Sequence, residues 1–247
     1  MPPTPESSPL RRLLLISNST LHGGGYLDHA EAKIRSFLGE AGRISFLPYA
    51  LADRAGYASR ARERFGKMGI ALDSIHEAAD PRRAILDAPA VFAGGGNTFR
   101  LLKSLQDLGL LEPIRRRVAE GMPYIGSSAG SIVSCPTIRT TNDMPIVEPS
   151  SLSALGLIAF QINAHYLDAD PRSTHMGETR EERLLQFHEE NMLPVVGLRE
   201  GAMLRIEDRE VLLQGATAAR IFRRGRDPVE VSPEAVLNEY LETEPAG

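Results

Sequence analysis

The first half of the chain alternates short, wholly apolar runs with longer amphipathic ones, and few folds accept that order. Residues 13–17 stay apolar until they end in polar turn residues, as a strand buried on both faces requires. Residues 26–38 place Leu27, Ala30, Ile34, Phe37 and Leu38 at helical spacing. The order then repeats. Residues 43–48 predict a strand, 52–68 a charged amphipathic helix stopped by Gly69, 71–75 a strand and 81–87 a short helix. A fourth strand, 90–93, runs into Gly94-Gly95-Gly96, and helices follow over 98–108 and 111–120, separated by Gly109. Repeated β-α units imply an α/β fold: a mostly parallel sheet, helices on both faces, right-handed crossovers.

The second half reads differently. Residues 136–164 hold strand-like and turn-like pieces and few helical signals. Thr179 and Glu182 form a capping-box pattern, which predicts a helix over Arg180–Glu190. Residues 194–198 predict a buried strand ending at Arg199-Glu200-Gly201; 202–206, 211–213 and 220–222 predict an antiparallel meander, and 233–241 a terminal helix. No repeat or linker splits the chain, so a loose Pro/Ser-rich tail, 1–9, is expected to precede one domain, 10–247.

Composition narrows the function. A chain of 247 residues with 42% hydrophobic and 24% charged residues reads as soluble and globular. A formal charge of −4 without a basic stripe argues against a nucleic-acid partner. The lone Cys135 rules out an intramolecular disulfide and cannot build a zinc site by itself. No apolar stretch approaches the roughly 20 residues that span a bilayer. The cytoplasm is the expected compartment.

Chemistry enters at Gly126-Ser127-Ser128-Ala129-Gly130, between the apolar Met122-Pro123-Tyr124-Ile125 and the helical Ser131-Ile132-Val133. Gly-x-Ser-x-Gly on a strand-to-helix turn pushes the central serine out of the sheet and offers helix N–H groups to an oxyanion. Ser128 is therefore the candidate nucleophile; the alternative is a Gly/Ser-rich turn without chemistry. Ala129 supplies one candidate oxyanion N–H. Gly95 and Gly96 supply the second, because glycine lets a backbone N–H approach a carbonyl closely. The triglycine lacks the Lys-Ser/Thr ending of a P-loop, which argues against a nucleotide. Of six histidines, His165 stands apart, since it ends a strand-like run before the polar loop 168–174, and strand ends are where open α/β sheets build sites. Two carboxylates compete to orient it: Asp143, and Glu200 at the end of the 194–198 strand. His165, Asp168, Asp170 and His175 can be read as a metal cluster, but aspartates in such a loop are more often turn formers, so no metal or cofactor is expected.

Five segments also resemble the peptidase E (α-aspartyl dipeptidase) family, in order along the chain. They are Leu14-Leu15-Ile16-Ser17-Asn18-Ser19-Thr20, Gly94-Gly95-Gly96-Asn97-Thr98-Phe99, and the run from Thr137-Ile138-Arg139 through Thr140-Thr141-Asn142-Asp143-Met144-Pro145-Ile146-Val147. Phe160-Gln161-Ile162-Asn163-Ala164-His165 and Gly177-Glu178-Thr179-Arg180-Glu181-Glu182-Arg183 complete the set. Ser127 and Ala164 stand where the family usually has tryptophan and proline, departures that bear on substrate preference and rate rather than reaction class. The resemblance implies a class I glutamine amidotransferase-like fold and a cofactor-free serine exopeptidase acting on Asp-Xaa dipeptides. It makes His165 the catalytic base and leaves both Asp143 and Glu200 as candidates for the acid. It implies Arg180, with Asn97, as substrate-binding residues, Arg180 taking the aspartate carboxylate. A homodimer is one option for assembly. Rival readings are a cyanophycinase-like β-aspartyl peptidase and a non-catalytic small-molecule binder on the same fold.

Overall fold

A computed structural model describes residues 11–172, 174 and 176–242; the expected tail, 1–9, lies outside them. Strands β1 (Arg12–Ile16), β2 (Arg43–Leu47), β3 (Ala71–Ser74), β4 (Val91–Ala93) and β5 (Tyr124–Ser127) pair in parallel in the order β3-β2-β4-β5-β1. Helices α1 (Glu31–Leu38), α2 (Arg54–Lys67), α3 (Pro81–Leu86), α4 (Thr98–Asp107) and α5 (Leu111–Ala119) connect them. A one-turn helix, α6 (Ala129–Ile132), follows β5 directly.

Strand periodicity divides the core into two layers. Leu14, Ile16, Ile44, Phe46, Phe92 and Ile125 point to one face, where Tyr57, Ala58, Ala61 and Phe65 of α2 and Ile34 and Phe37 of α1 cover them. Leu13, Leu15, Leu47, Val91 and Ala93 point to the other, against Leu101, Leu102 and Leu105 of α4 and Ile114 and Val118 of α5. That second layer also takes in a second sheet. It contains β6 (Gln161–Tyr166), β7 (Val195–Arg199), β10 (Ala219–Arg223) and β11 (Arg226–Val231), in the order β11-β10-β7-β6. β6 and β7 are parallel, and the other two pairings are antiparallel. Strands β8 (Ala202–Glu207) and β9 (Glu210–Gly215) form a hairpin that extends the main sheet past β1. Helix α7 (Arg180–Glu190) carries the expected capping box, with Thr179 and Glu182 bonding reciprocally.

Several expectations need correction. The meander is split: β8 and β9 join the main sheet, and after Gly215 the chain crosses over so that β10 pairs with β7. Apolar alternation sets strand character but not which of two sheets a strand joins. β11 was not foreseen because Pro228 interrupts it; it lies on the sheet edge, where a missing N–H costs no ladder bond. Residues 136–160 hold only an isolated bridge, Thr137 to Ser153, instead of strands. Side-chain bonds tie that segment to β6: Thr140 Oγ1 donates to Ile162 O, Asn142 Nδ2 to Ala164 O and Asn163 Nδ2 to Thr140 O. The first helix begins only at Glu31, after a short 3-10 turn and a left-handed Leu27 (φ 58°). The terminal helix is one turn, α8 (Asn238–Leu241).

Candidate active site

Ser128 sits between β5 and α6 with φ 51° and ψ −111°, a region that side chains avoid at a cost of about 1–3 kcal/mol. Both neighbouring backbones hold it there. Its N–H donates to Ile16 O at 2.9 Å, and its carbonyl accepts from Ser131 N and Ile132 N at 2.8 and 3.0 Å. The flanking glycines are required by contact: a Cβ on Gly126 would come within 2.6 Å of the Gly130 carbonyl, and one on Gly130 would collide with Ala93 O. Ala129 is the first residue of α6, so its N–H has no partner inside the helix.

His165 reaches the serine through a bulge. Ala164 pairs with Leu198 and Tyr166 with Arg199, which leaves His165 as the extra residue, at φ 54°. A bulge re-aims one side chain without ending the strand, and here it turns the imidazole across to the main sheet. His165 Nε2 lies 3.0 Å from Ser128 Oγ, and Nδ1 lies 2.8 Å from Glu200 Oε1. Glu200 occupies the turn between β7 and β8. Thr217 Oγ1 donates to its carbonyl at 2.8 Å, and the next residue, Gly201, donates its N–H to Asn18 Oδ1 at 2.8 Å.

The end of β1 ties these parts together. Buried Ser17 Oγ donates to Leu198 O at 2.7 Å and accepts the His165 N–H at 3.0 Å. One hydroxyl thus bridges the strand that carries Glu200 and the bulge that carries His165. Sequence reasoning gave no role to Ser17, although its place at the carboxyl end of a buried strand was the available signal.

A cavity of about 480 Å³ opens over this line of residues. Ser128, His165, Gly95, Gly96 and Asp143 all border it. Gly95 lies flat against the elbow; a Cβ there would sit 3.2 Å from Ser128 Cβ and 3.3 Å from Ser127 O. Asp143 makes no hydrogen bond with His165. Its Oδ2 accepts from Thr98 N at 2.7 Å and Thr98 Oγ1 at 2.5 Å, which anchors it to the start of α4. Asn97 spends its side chain inside the protein: Oδ1 caps α4 at Arg100 N, 3.0 Å away, and Nδ2 donates to Met144 O at 2.8 Å.

Arg180 opens α7 beside a neighbouring cavity lined by Leu167, Asp168, Thr179 and Arg183. Burial lowers its pKa from the ordinary value, the Arg183 charge adds to that, and Asp143 opposes it. A half-buried cation that feels the Asp143 carboxylate and has no ion-pair partner among the described residues is suited to receive an anion. Asp168 holds Arg199 through two bonds of 2.7 and 2.8 Å, Asp170 accepts the Arg172 N–H at 2.9 Å, and His175 lies outside the described residues. Among the described residues no cluster of three or more candidate ligands occurs. Two further wall residues that the sequence did not flag, Tyr57 and Arg60, come from α2. The Tyr57 phenol is raised in pKa chiefly by burial, against a backbone hydrogen bond from Gly95.

A serine on a strained elbow, in line with a histidine and a carboxylate at the carboxyl ends of parallel strands, is the arrangement of a serine hydrolase. The chain belongs to peptidase family S51, whose profile matches residues 13–214. It is 53% identical to the peptidase E of Streptomyces coelicolor over 93% of this chain and 95% of that protein. It is 43% identical to a Drosophila melanogaster protein named "Probable alpha-aspartyl dipeptidase", over 94% of this chain and 98% of that one. Its fold is similar to the crystal structure of a peptidase from an acI-B1 actinobacterium, with a TM-score of 0.68, 15% identity, and coverage of 92% of this chain and 96% of that one.

Proposed function

We propose that this chain is a serine dipeptidase that removes N-terminal aspartate from Asp-Xaa dipeptides through an acyl-enzyme on Ser128. The observation that carries the reading is the continuous line Ser128 Oγ, His165 Nε2, His165 Nδ1, Glu200 Oε1, at 3.0 and 2.8 Å, bordering an open cavity. The names of the relatives supply the substrate class.

In this reading Ser128 Oγ attacks the carbonyl carbon that follows aspartate while His165 Nε2 takes the hydroxyl proton. Glu200 accepts from Nδ1–H, holding the tautomer in which Nε2 is the base and stabilising the imidazolium. The Ala129 N–H and the Gly96 N–H receive the oxyanion, since the Gly95 N–H already bonds the Tyr57 phenol. His165 passes its proton to the leaving amine, the C–N bond breaks, and the second residue departs. Water, deprotonated by His165, then releases aspartate. Asp143, anchored to Thr98 and facing the cavity, pairs with the substrate ammonium, and Arg180 takes the aspartate carboxylate in a two-bond fork. The 2.8 Å contact of His165 Nδ1 with Glu200 Oε1 supports Glu200 as the triad acid, with Asp143 in a binding role. The setting is the cytoplasm, in one domain spanning 10–247, without nucleic acid or a bilayer. A homodimer enters no step.

Comparing hydrolysis of α-linked and β-linked Asp-Leu tests the substrate class. The α-linked peptide is expected to be cleaved and the β-linked one spared; the reverse preference would favour a β-aspartyl peptidase, and cleavage of neither would favour a binding protein.

A further inference from the structure

Arg60 projects from α2 into the wall of the active-site cavity. Its guanidinium lies 5.2 Å from the Tyr57 ring centroid and 5.6 Å from that of Tyr26, so two aromatic faces hold it. Among the described residues no carboxylate pairs with it. Of the other arginines of α2, Arg62 pairs with Glu77 and Arg64 with Asp28 and Glu31, while Arg54 stacks on Tyr49 and does not line this cavity. A guanidinium held in a cleft, stacked but without a counter-ion, is arranged to receive a carboxylate.

The topology says which one. Tyr57 belongs to the core layer under α1 and α2, and Tyr26 packs against that layer. Asp143 is bound to Thr98 at the head of α4, whose side chains fill the opposite layer. Arg60 and Asp143 therefore approach Ser128 from opposite faces of the parallel sheet. An aspartyl residue has its ammonium and side-chain carboxylate matched on the Asp143 and Arg180 side. The leaving residue must then extend toward Arg60, and in a dipeptide it carries a free carboxylate one residue beyond the scissile bond. We infer that Arg60 binds the C-terminal carboxylate of the leaving residue and so confines the enzyme to dipeptides, an inference that rests on the dipeptidase reading above.

The test measures kcat/KM for Asp-Leu, Asp-leucinamide and Asn-Leu with the wild-type chain, Arg60→Gln and Arg60→Leu. Ratios within one preparation cancel any difference in folded fraction. The wild type is expected to prefer Asp-Leu over its amide by about tenfold or more, the loss of one charge-assisted pair in a solvent-open cleft. In both variants that ratio falls toward one while the Asp-Leu over Asn-Leu preference persists. An acid-to-amide ratio near one in the wild type, or one unchanged in the variants, overturns the anchor and leaves the dipeptidase reading standing. Collapse of the Asp over Asn preference in the variants also overturns it, since Arg60 would then serve the aspartyl side chain. A wild type that cleaves none of the three overturns the dipeptidase reading and the anchor with it.

Discussion

Replacing Glu200 by glutamine removes one charge and keeps the shape of the side chain. The amide can still accept from His165 Nδ1–H, but it can equally turn and donate, which places the ring in the wrong tautomer. Lost as well is the attraction between carboxylate and imidazolium in the transition state. For charges about 4 Å apart that attraction is about 1 kcal/mol in bulk water and about 4 kcal/mol at an effective dielectric constant near 20. The His165 and Glu200 side chains are 43% and 53% exposed, so solvent screens the pair. A value of about 2–3 kcal/mol follows, or about 10²-fold in kcat, below the roughly 10⁴-fold loss in a buried Ser-His-Asp triad. Asp143→Asn should behave otherwise. Its carboxylate bonds Thr98, not His165, and asparagine keeps an acceptor there. Its kcat should stay within about tenfold of wild type, with the main effect on KM, as expected for a group that binds substrate rather than stabilising the transition state. Steady-state hydrolysis of Asp-Leu, with circular dichroism to confirm folding, decides. If Asp143→Asn lost about 10³-fold in kcat while Glu200→Gln stayed near wild type, the assignment of Glu200 would be refuted.

Three further outcomes follow from the geometry. Ser17→Ala leaves the His165 N–H and the Leu198 carbonyl without their shared partner; it should lower stability by about 1–3 kcal/mol and lower kcat more than it raises KM, read by denaturant melts and kinetics. Arg180→Lys should lower kcat/KM for Asp-Leu by about 10²-fold and erode the preference over Asn-Leu, because an ammonium cannot reproduce the two-bond fork. Cys135 is fully buried and burial pushes its thiol up to about 12, so iodoacetamide at pH 8 should leave both the native protein's mass and its activity unchanged.

The parallel half of the fold was legible because each β-α unit carries its own signal. An apolar run such as Leu13-Leu14-Leu15-Ile16, bounded by polar turn residues, suits a strand covered on both faces, and the Asp53, Asp80 and Asn97 side chains cap the helices that follow strands β2, β3 and β4. The elbow was legible for the same local reason, since Gly126 and Gly130 are demanded by contacts within a few residues. Distances between far-apart segments were not. Nothing near Asp143 or Glu200 in sequence says which reaches His165, since that depends on a one-residue bulge and on β7 joining the second sheet. Ser17 and Arg60 were missed because their roles exist only once β1, β6, β7 and α2 meet. Asn97 illustrates the converse: its motif placed it at the site, but the cap of α4 and the Met144 carbonyl take up its side chain.

The most direct test of the account is the Ser128→Ala variant assayed on Asp-Leu, alongside mass mapping of the wild type after treatment with a fluorophosphonate. The account predicts a folded variant whose turnover falls by about 10⁴-fold or more, and a single wild-type adduct on the peptide containing Ser128. Near-normal hydrolysis by Ser128→Ala, or an adduct on another residue with Ser128 unmodified, would contradict it.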